Sequence, residues 1–139
     1  MFSTRLLIVS AILGAVATSA SAWDKHFSKG INHYTHTAGG LTVTLSCDPE
    51  RLMLSSGGTI HIMRGTDYDI GDVTFSNDAG QTLTLETEYG LFALDERSTT
   101  NEAQWAEFVE MVEGGTLSAI TIAEKQVKFR PAAQQTDCL

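Results

Sequence analysis

Four groups of side chains in this 139-residue chain are of types that could do chemistry. The first is His61-Ile62-Met63. Alternation along a strand puts His61 and Met63 on one face, and a soft thioether beside an imidazole suits copper. The second is His26, His33 and His36, a donor set for zinc or copper. On a strand a spacing of three places His33 and His36 on opposite faces, so a three-histidine site needs a loop or a fold-back. The third is Asp67-Tyr68-Asp69-Ile70-Gly71-Asp72, whose carboxylates Asp67, Asp69 and Asp72 could hold calcium. An EF-hand loop needs an acid or amide at its fifth position and glycine at its sixth. Here Gly71 is fifth and Asp72 sixth, and Asp78 stands where a glutamate belongs. The fourth is Cys47 with Cys138, the two cysteines of the chain. They form no Cys-x-x-Cys, so a redox pair or a thiolate metal site lacks its usual spacing. The ordinary readings are exposed histidines near the amino terminus, a solvated turn at Asp67–Asp72, and a structural disulfide.

Signatures of common enzyme classes are missing. There is no Gly-x-Ser-x-Gly, no His-Glu-x-x-His and no phosphate-cradling loop. Acid pairs such as Glu86/Glu88 and Asp95/Glu96 occur, as they do in any acidic chain. The formal net charge is −8, and the basic residues are never clustered. Nucleic acid and anionic lipid surfaces are therefore poor partners, and a basic protein is the sharper alternative to plain solubility.

These groups sit behind a segment that reads as a secretory signal over residues 1–22. Arg5 supplies the positive start, Leu6–Val16 the apolar run, and Ala20-Ser21-Ala22 a small-x-small cleavage site before Trp23. The run is shorter than the roughly 20 residues that span a bilayer. Its removal leaves one β-rich domain over residues 23–139, no membrane span, and a net charge of −9 once Arg5 is gone. In an oxidising compartment, the simplest state of Cys47 and Cys138 is a disulfide closing a loop of about 90 residues.

The element that must place Cys47 is Leu41–Cys47. Leu41, Val43, Leu45 and Cys47 alternate with Thr42, Thr44 and Ser46, which predicts a half-buried antiparallel strand. A strand over Ile31–Thr37 precedes it through an Ala38-Gly39-Gly40 turn. Trp23–Lys29 shows no clear period. After Asp48-Pro49-Glu50, short strands are predicted over Arg51–Leu54, Thr59–Met63, Gly71–Ser76 and Gln81–Glu88, with a more buried one over Tyr89–Leu94. Ile60, Ile62, Val73, Phe75, Leu83 and Leu85 face inward, and Asn77–Gly80 is a hairpin turn.

The pattern then changes to helix. Thr99 and Glu102 fit a capping box with Thr99 as N-cap, and Trp105, Phe108, Val109 and Val112 form one apolar stripe. Gly114-Gly115 ends it. Glu107, Glu110 and Glu113 make an outer acidic ridge, a candidate interaction surface. Leu117–Ala123 and Lys125–Arg130 are two more strands, either a tight hairpin or one bent strand. Ala132–Leu139 is a tail, drawn as one helical turn that carries Cys138 to Cys47.

The leader, Leu41–Cys47 running into Asp48, the Trp105/Phe108 helix with its Gly114-Gly115 stop, Phe129-Arg130-Pro131-Ala132-Ala133 and the terminal Cys138 together form a loose pattern. In this it resembles small exported proteins of the invasion-associated locus B type. The resemblance implies a periplasmic or surface β-sandwich of a Gram-negative bacterium, associated with host interaction and without catalysis, and it transfers no functional residues. His61 and Met63 also resemble the His-x-Met pair of periplasmic copper chaperones, whose upstream His-Met pair and further methionine have no counterpart here. The expected fold is mainly β, an antiparallel sandwich or bent sheet with one packed helix and one disulfide. The expected function is non-enzymatic binding with no cofactor. A copper- or calcium-binding protein is second, and an enzyme of unrecognised type third.

Overall fold

A computed structural model describes residues 21–139. Most of the predicted secretory segment therefore lies outside the described residues. In chain order the elements are β1 (Asp24–Ser28), β2 (Ile31–Ala38), β3 (Leu41–Cys47), β4 (Gly58–Arg64), β5 (Val73–Asn77), β6 (Thr82–Leu85), β7 (Leu91–Ala93), α1 (Thr99–Gly114), β8 (Leu117–Ile122) and β9 (Lys125–Lys128). They make two antiparallel sheets, five strands in the order β1-β2-β3-β4-β7 and four in the order β6-β5-β8-β9. The mainly β expectation holds.

Alternation decides which residues the sheets bury. Tyr34, Val43, Leu45, Ile60, Ile62 and Phe92 come from one sheet, and Val73, Phe75, Leu83, Leu85, Ile120 and Ile122 from the other; all belong to one core cluster. The helix adds Trp105, Phe108, Val109, Met111 and Val112 to that core. Phe108 meets Phe75 edge to face with ring centroids 4.8 Å apart. Gly115, at φ 64°, caps the helix in the left-handed conformation and sends its N–H to the carbonyls of Met111 and Val112.

The tail is stapled where the cysteine count predicts. Cys47 and Cys138 are disulfide-bonded across 91 residues, with Cα atoms 5.1 Å apart. The predicted helical turn in the tail is not formed. Its polar groups are used elsewhere: Gln134 N–H donates to Val112 O at 3.1 Å, and Thr136 donates through N–H and hydroxyl to Glu113 Oε1 at 3.1 and 2.7 Å. Asp137 accepts from Asn32 Nδ2 at 2.8 Å and Tyr34 Oη at 3.2 Å. A helical turn would spend those groups on itself.

Four further expectations are corrected. The aperiodic stretch at the start contains β1, which pairs with β2 through the two-residue turn Lys29-Gly30, at φ 52° and 79°. As an edge strand it needs little apolar surface, and Lys25 lies over the Tyr34 ring at 5.7 Å. Arg51–Leu54 is no strand. The Asp48 carboxylate gathers the N–H groups of Leu52, Met53 and Leu54 at 3.1, 2.7 and 2.7 Å, bending the backbone around itself. The N-cap is Ser98 rather than Thr99, with Ser98 Oγ accepting from Asn101 N–H at 3.2 Å. Within Tyr89–Leu94, only Leu91–Ala93 is strand, and alternation turns Leu91 to the outer face while Phe92 is buried. The two final strands are a tight hairpin around Ala123 and Glu124, at φ 48° and 67°.

Candidate functional site

The same alternation that builds the core leaves a polar outer face on the five-stranded sheet. Register aligns its side chains in rows. One row runs His26, His33, Ser46, Thr59, Ala93, and the next Asp24, Thr35, Thr44, His61, Leu91. Neighbours along the rows are hydrogen-bonded. His33 Nδ1 lies 2.7 Å from Ser46 Oγ, Thr35 and Thr44 hydroxyls are 3.1 Å apart, and Thr37 and Thr42 hydroxyls 2.9 Å. The threonines and serine that read simply as the outer half of a strand pattern thus form a hydroxylated surface tied by cross-strand pairs.

A wall rises beside this floor. The chain between β6 and β7 is held by Thr87 Oγ1, which donates to the carbonyls of Ile70, at 2.9 Å, and Gly71. Gly90 N–H donates to Ile70 O at 2.9 Å, and Gly90 O accepts from Ile62 N–H at 2.8 Å. Gly90 has φ +75°, and a Cβ there would run into the Ile62 carbonyl, so only glycine fits this approach. Floor and wall enclose a groove of about 1510 Å³ lined by His33, Ser46, Thr59, His61, Asp72, Glu86, Glu88, Asp95 and Asn101, with Tyr68 and Tyr89 at its margin. Both tyrosines are largely exposed. The ionisable lining is four carboxylates, two histidines and two tyrosines, and no lysine or arginine among the described residues. Asp95 is paired with Arg97, Nε to Oδ1 at 3.0 Å, and that guanidinium holds its carboxyl below the usual carboxylate range.

The groove is open to side chains but its strand edge is closed. Leu91 exchanges both backbone hydrogen bonds with Glu88, at 2.9 and 3.0 Å, and Asn101 Nδ2 donates to Ala93 O at 3.0 Å. With those groups occupied, β7 offers little to a strand docking along it.

The predicted site residues separate. His61 is on the groove floor and Asp72 on its wall. Met63 shares the outer face with His61, one row further on opposite Thr42. Asp67 Oδ1 accepts from Asp69 N–H at 2.9 Å, a local turn bond. The carboxylates of Asp67, Asp69 and Asp72 do not gather. Among the described residues, one trio of metal-type ligand atoms comes within 4.8 Å, that of Cys47, Cys138 and Asp137, and its sulfurs are bonded to each other.

The histidines divide as the strand spacing predicts, yet not all are exposed. His36 is buried, 5.6 Å from the Trp23 ring and 4.9 Å from that of Phe129. His26 and His33 are direct cross-strand partners with stacked rings. On the helix, Glu107 and Glu110 are exposed, but Glu113 is half-buried and engaged by Thr136. The acidic ridge is therefore shorter than predicted. The groove residues missed from sequence are Ser46, Glu86, Glu88, Tyr68 and Tyr89. Glu86/Glu88 and Asp95/Glu96 are visible in the sequence only as acid pairs, and nothing local ties either to the strand bearing His61.

No family model, no curated protein and no solved structure matches the chain.

Proposed function

We propose that the protein is an exported, non-enzymatic binding protein of the bacterial periplasm or cell surface, and that its groove takes an extended cationic polypeptide segment. The observation that carries this is the one-signed lining. Asp72, Glu86 and Glu88 face the groove with no salt-bridge partner among the described residues, beside two exposed tyrosines and a hydroxyl floor. Carboxylates in a concave surface focus potential and attract Lys and Arg, aromatic rings add cation–π contacts, and hydroxyls pair with peptide groups. The overall charge of −8 acts in the same direction. A disulfide fits an oxidising compartment, and no helix among the described residues is long and apolar enough to cross a membrane.

The test uses the purified disulfide-bonded protein and extended peptides of equal length bearing Lys/Arg, Glu or only neutral residues. Fluorescence anisotropy should detect the cationic peptide alone, weakening as salt shortens the Debye length. Combined Glu86→Gln and Glu88→Gln should reduce that binding by tenfold or more. Equal binding of all three peptides, or no loss in the double variant, rejects the reading.

A further inference from the structure

Two histidines share a row at the edge of the five-stranded sheet, His33 on the groove floor and His26 outside the groove lining. Their register is fixed by the Lys29-Gly30 turn, both of whose residues have positive φ, so His26 lies directly opposite His33. The rings stack at an interplanar angle of 27° with centroids 6.4 Å apart. His33 Nδ1 is engaged by Ser46 Oγ at 2.7 Å, and Ser46 is only 7 % exposed. In the tautomer whose Nδ1–H donates to Ser46 Oγ, Nε2 of His33 carries the free lone pair. A hydrogen bond to the far ring nitrogen is the arrangement by which proteins orient a metal-binding imidazole and fix its tautomer.

We infer that His26 and His33 form a bidentate site for a late first-row divalent metal, with Ser46 positioning His33. Metal–imidazole bonds of about 2.0–2.1 Å require the two ligating nitrogens to stand roughly 3 Å apart. His33 stays on Ser46, so the His26 ring is the one that turns to reach that spacing, and it is free to do so because it is exposed on an edge strand. Asp24 shares the face one row away and adds a compensating negative charge. Two imidazoles select copper(II), nickel(II) and zinc(II), with copper(II) first, while calcium and magnesium prefer oxygen ligands. The site is separate from His61-x-Met63, which stands two strands away, and it does not rest on the cationic-peptide reading.

Isothermal titration of the metal-free, disulfide-bonded protein with copper(II), nickel(II), zinc(II) and calcium tests it, with copper(II) paramagnetic resonance as the second readout. One copper(II) per chain with two-nitrogen hyperfine structure is expected, tighter than nickel(II) or zinc(II), and no calcium heat. His26→Ala and His33→Ala should each weaken copper(II) at least tenfold and remove one coupled nitrogen, whereas His61→Ala should change neither. Ser46→Ala should weaken the metal several-fold while both nitrogens stay coupled, and Ser46→Thr should restore affinity. Unchanged melting temperatures would show that the variants remain folded. Copper(II) binding that survives the His26 and His33 substitutions, or that vanishes in His61→Ala, overturns the site.

Discussion

The indole N–H of Trp105 donates to the carbonyl oxygen of Cys138 at 2.9 Å. This bond joins the helix to the tail at the residue that is also covalently tied to β3. Three parts of the chain with no local relationship are therefore locked at one point, and the first predictions concern that lock.

Cys47→Ser and Cys138→Ser should each lower stability by about 2–5 kcal/mol, and by similar amounts, because either removes the same long loop closure. Denaturant midpoints under non-reducing conditions measure this. Wild-type midpoints in both variants would mean that the crosslink does not constrain the unfolded chain.

Trp105→Ala should cost about 3–5 kcal/mol, since a buried indole and its bond to the tail are lost together. Glu107→Ala, on the exposed side of the same helix, should stay within about 0.5 kcal/mol. Equal effects in thermal unfolding would place the wrong face of the helix against the core.

Gly58→Ala should destabilise by about 1–3 kcal/mol, because the added Cβ would occupy the space of the Trp105 ring. A partial red shift of the tryptophan emission should accompany it, since Trp23 stays buried. A neutral substitution would show that the ring has room to move.

Tyr34 donates to Asp137, and its phenol is pushed from 10.0 up to about 12, first by burial and then by the Asp137 charge. A raised acid pKa favours the neutral form in the folded state. The associated stability is complete below the ordinary tyrosine value and is lost as pH rises through about 12. Phenolate absorbance should show one tyrosine titrating there, and Tyr34→Phe should remove that component. Its persistence in Tyr34→Phe would assign it to another residue.

Asp48 works at the opposite end of the pH scale. The backbone N–H groups of Leu54 and Met53 hold its carboxyl below the usual carboxylate range. A depressed pKa contributes stability above the ordinary carboxylate value, and that contribution fades as pH falls through the lower folded value. Stability should therefore drop below about pH 4 in the wild type, and the drop should be smaller in Asp48→Asn, which also starts from a lower melting temperature at neutral pH. Parallel acid limbs for the two proteins would argue that this carboxylate is not the group protonated.

Much of the fold was legible because its signals are local. Leu41–Cys47 announces its buried face by period two, Gly39-Gly40 its hairpin, and Trp105, Phe108, Val109 and Val112 their helix by period 3.6. Where local signals misled, a distant or competing partner had taken over. β1 is a strand because β2 supplies its hydrogen bonds, and Arg51–Leu54 is a turn because Asp48 outcompetes any neighbouring strand for its N–H groups.

The sequence by itself determined the alternating strands, the helix and the odds that two cysteines would pair, since each depends on residue types a few positions apart or on a count. Tertiary structure alone decided that Glu86 and Glu88 would wall a groove floored by His33 and His61, that Glu113 would be taken by Thr136, and that His26 would face His33. Those outcomes depend on which strands become neighbours and in what register, and that choice is made by burial summed over the whole core rather than by any one stretch of chain.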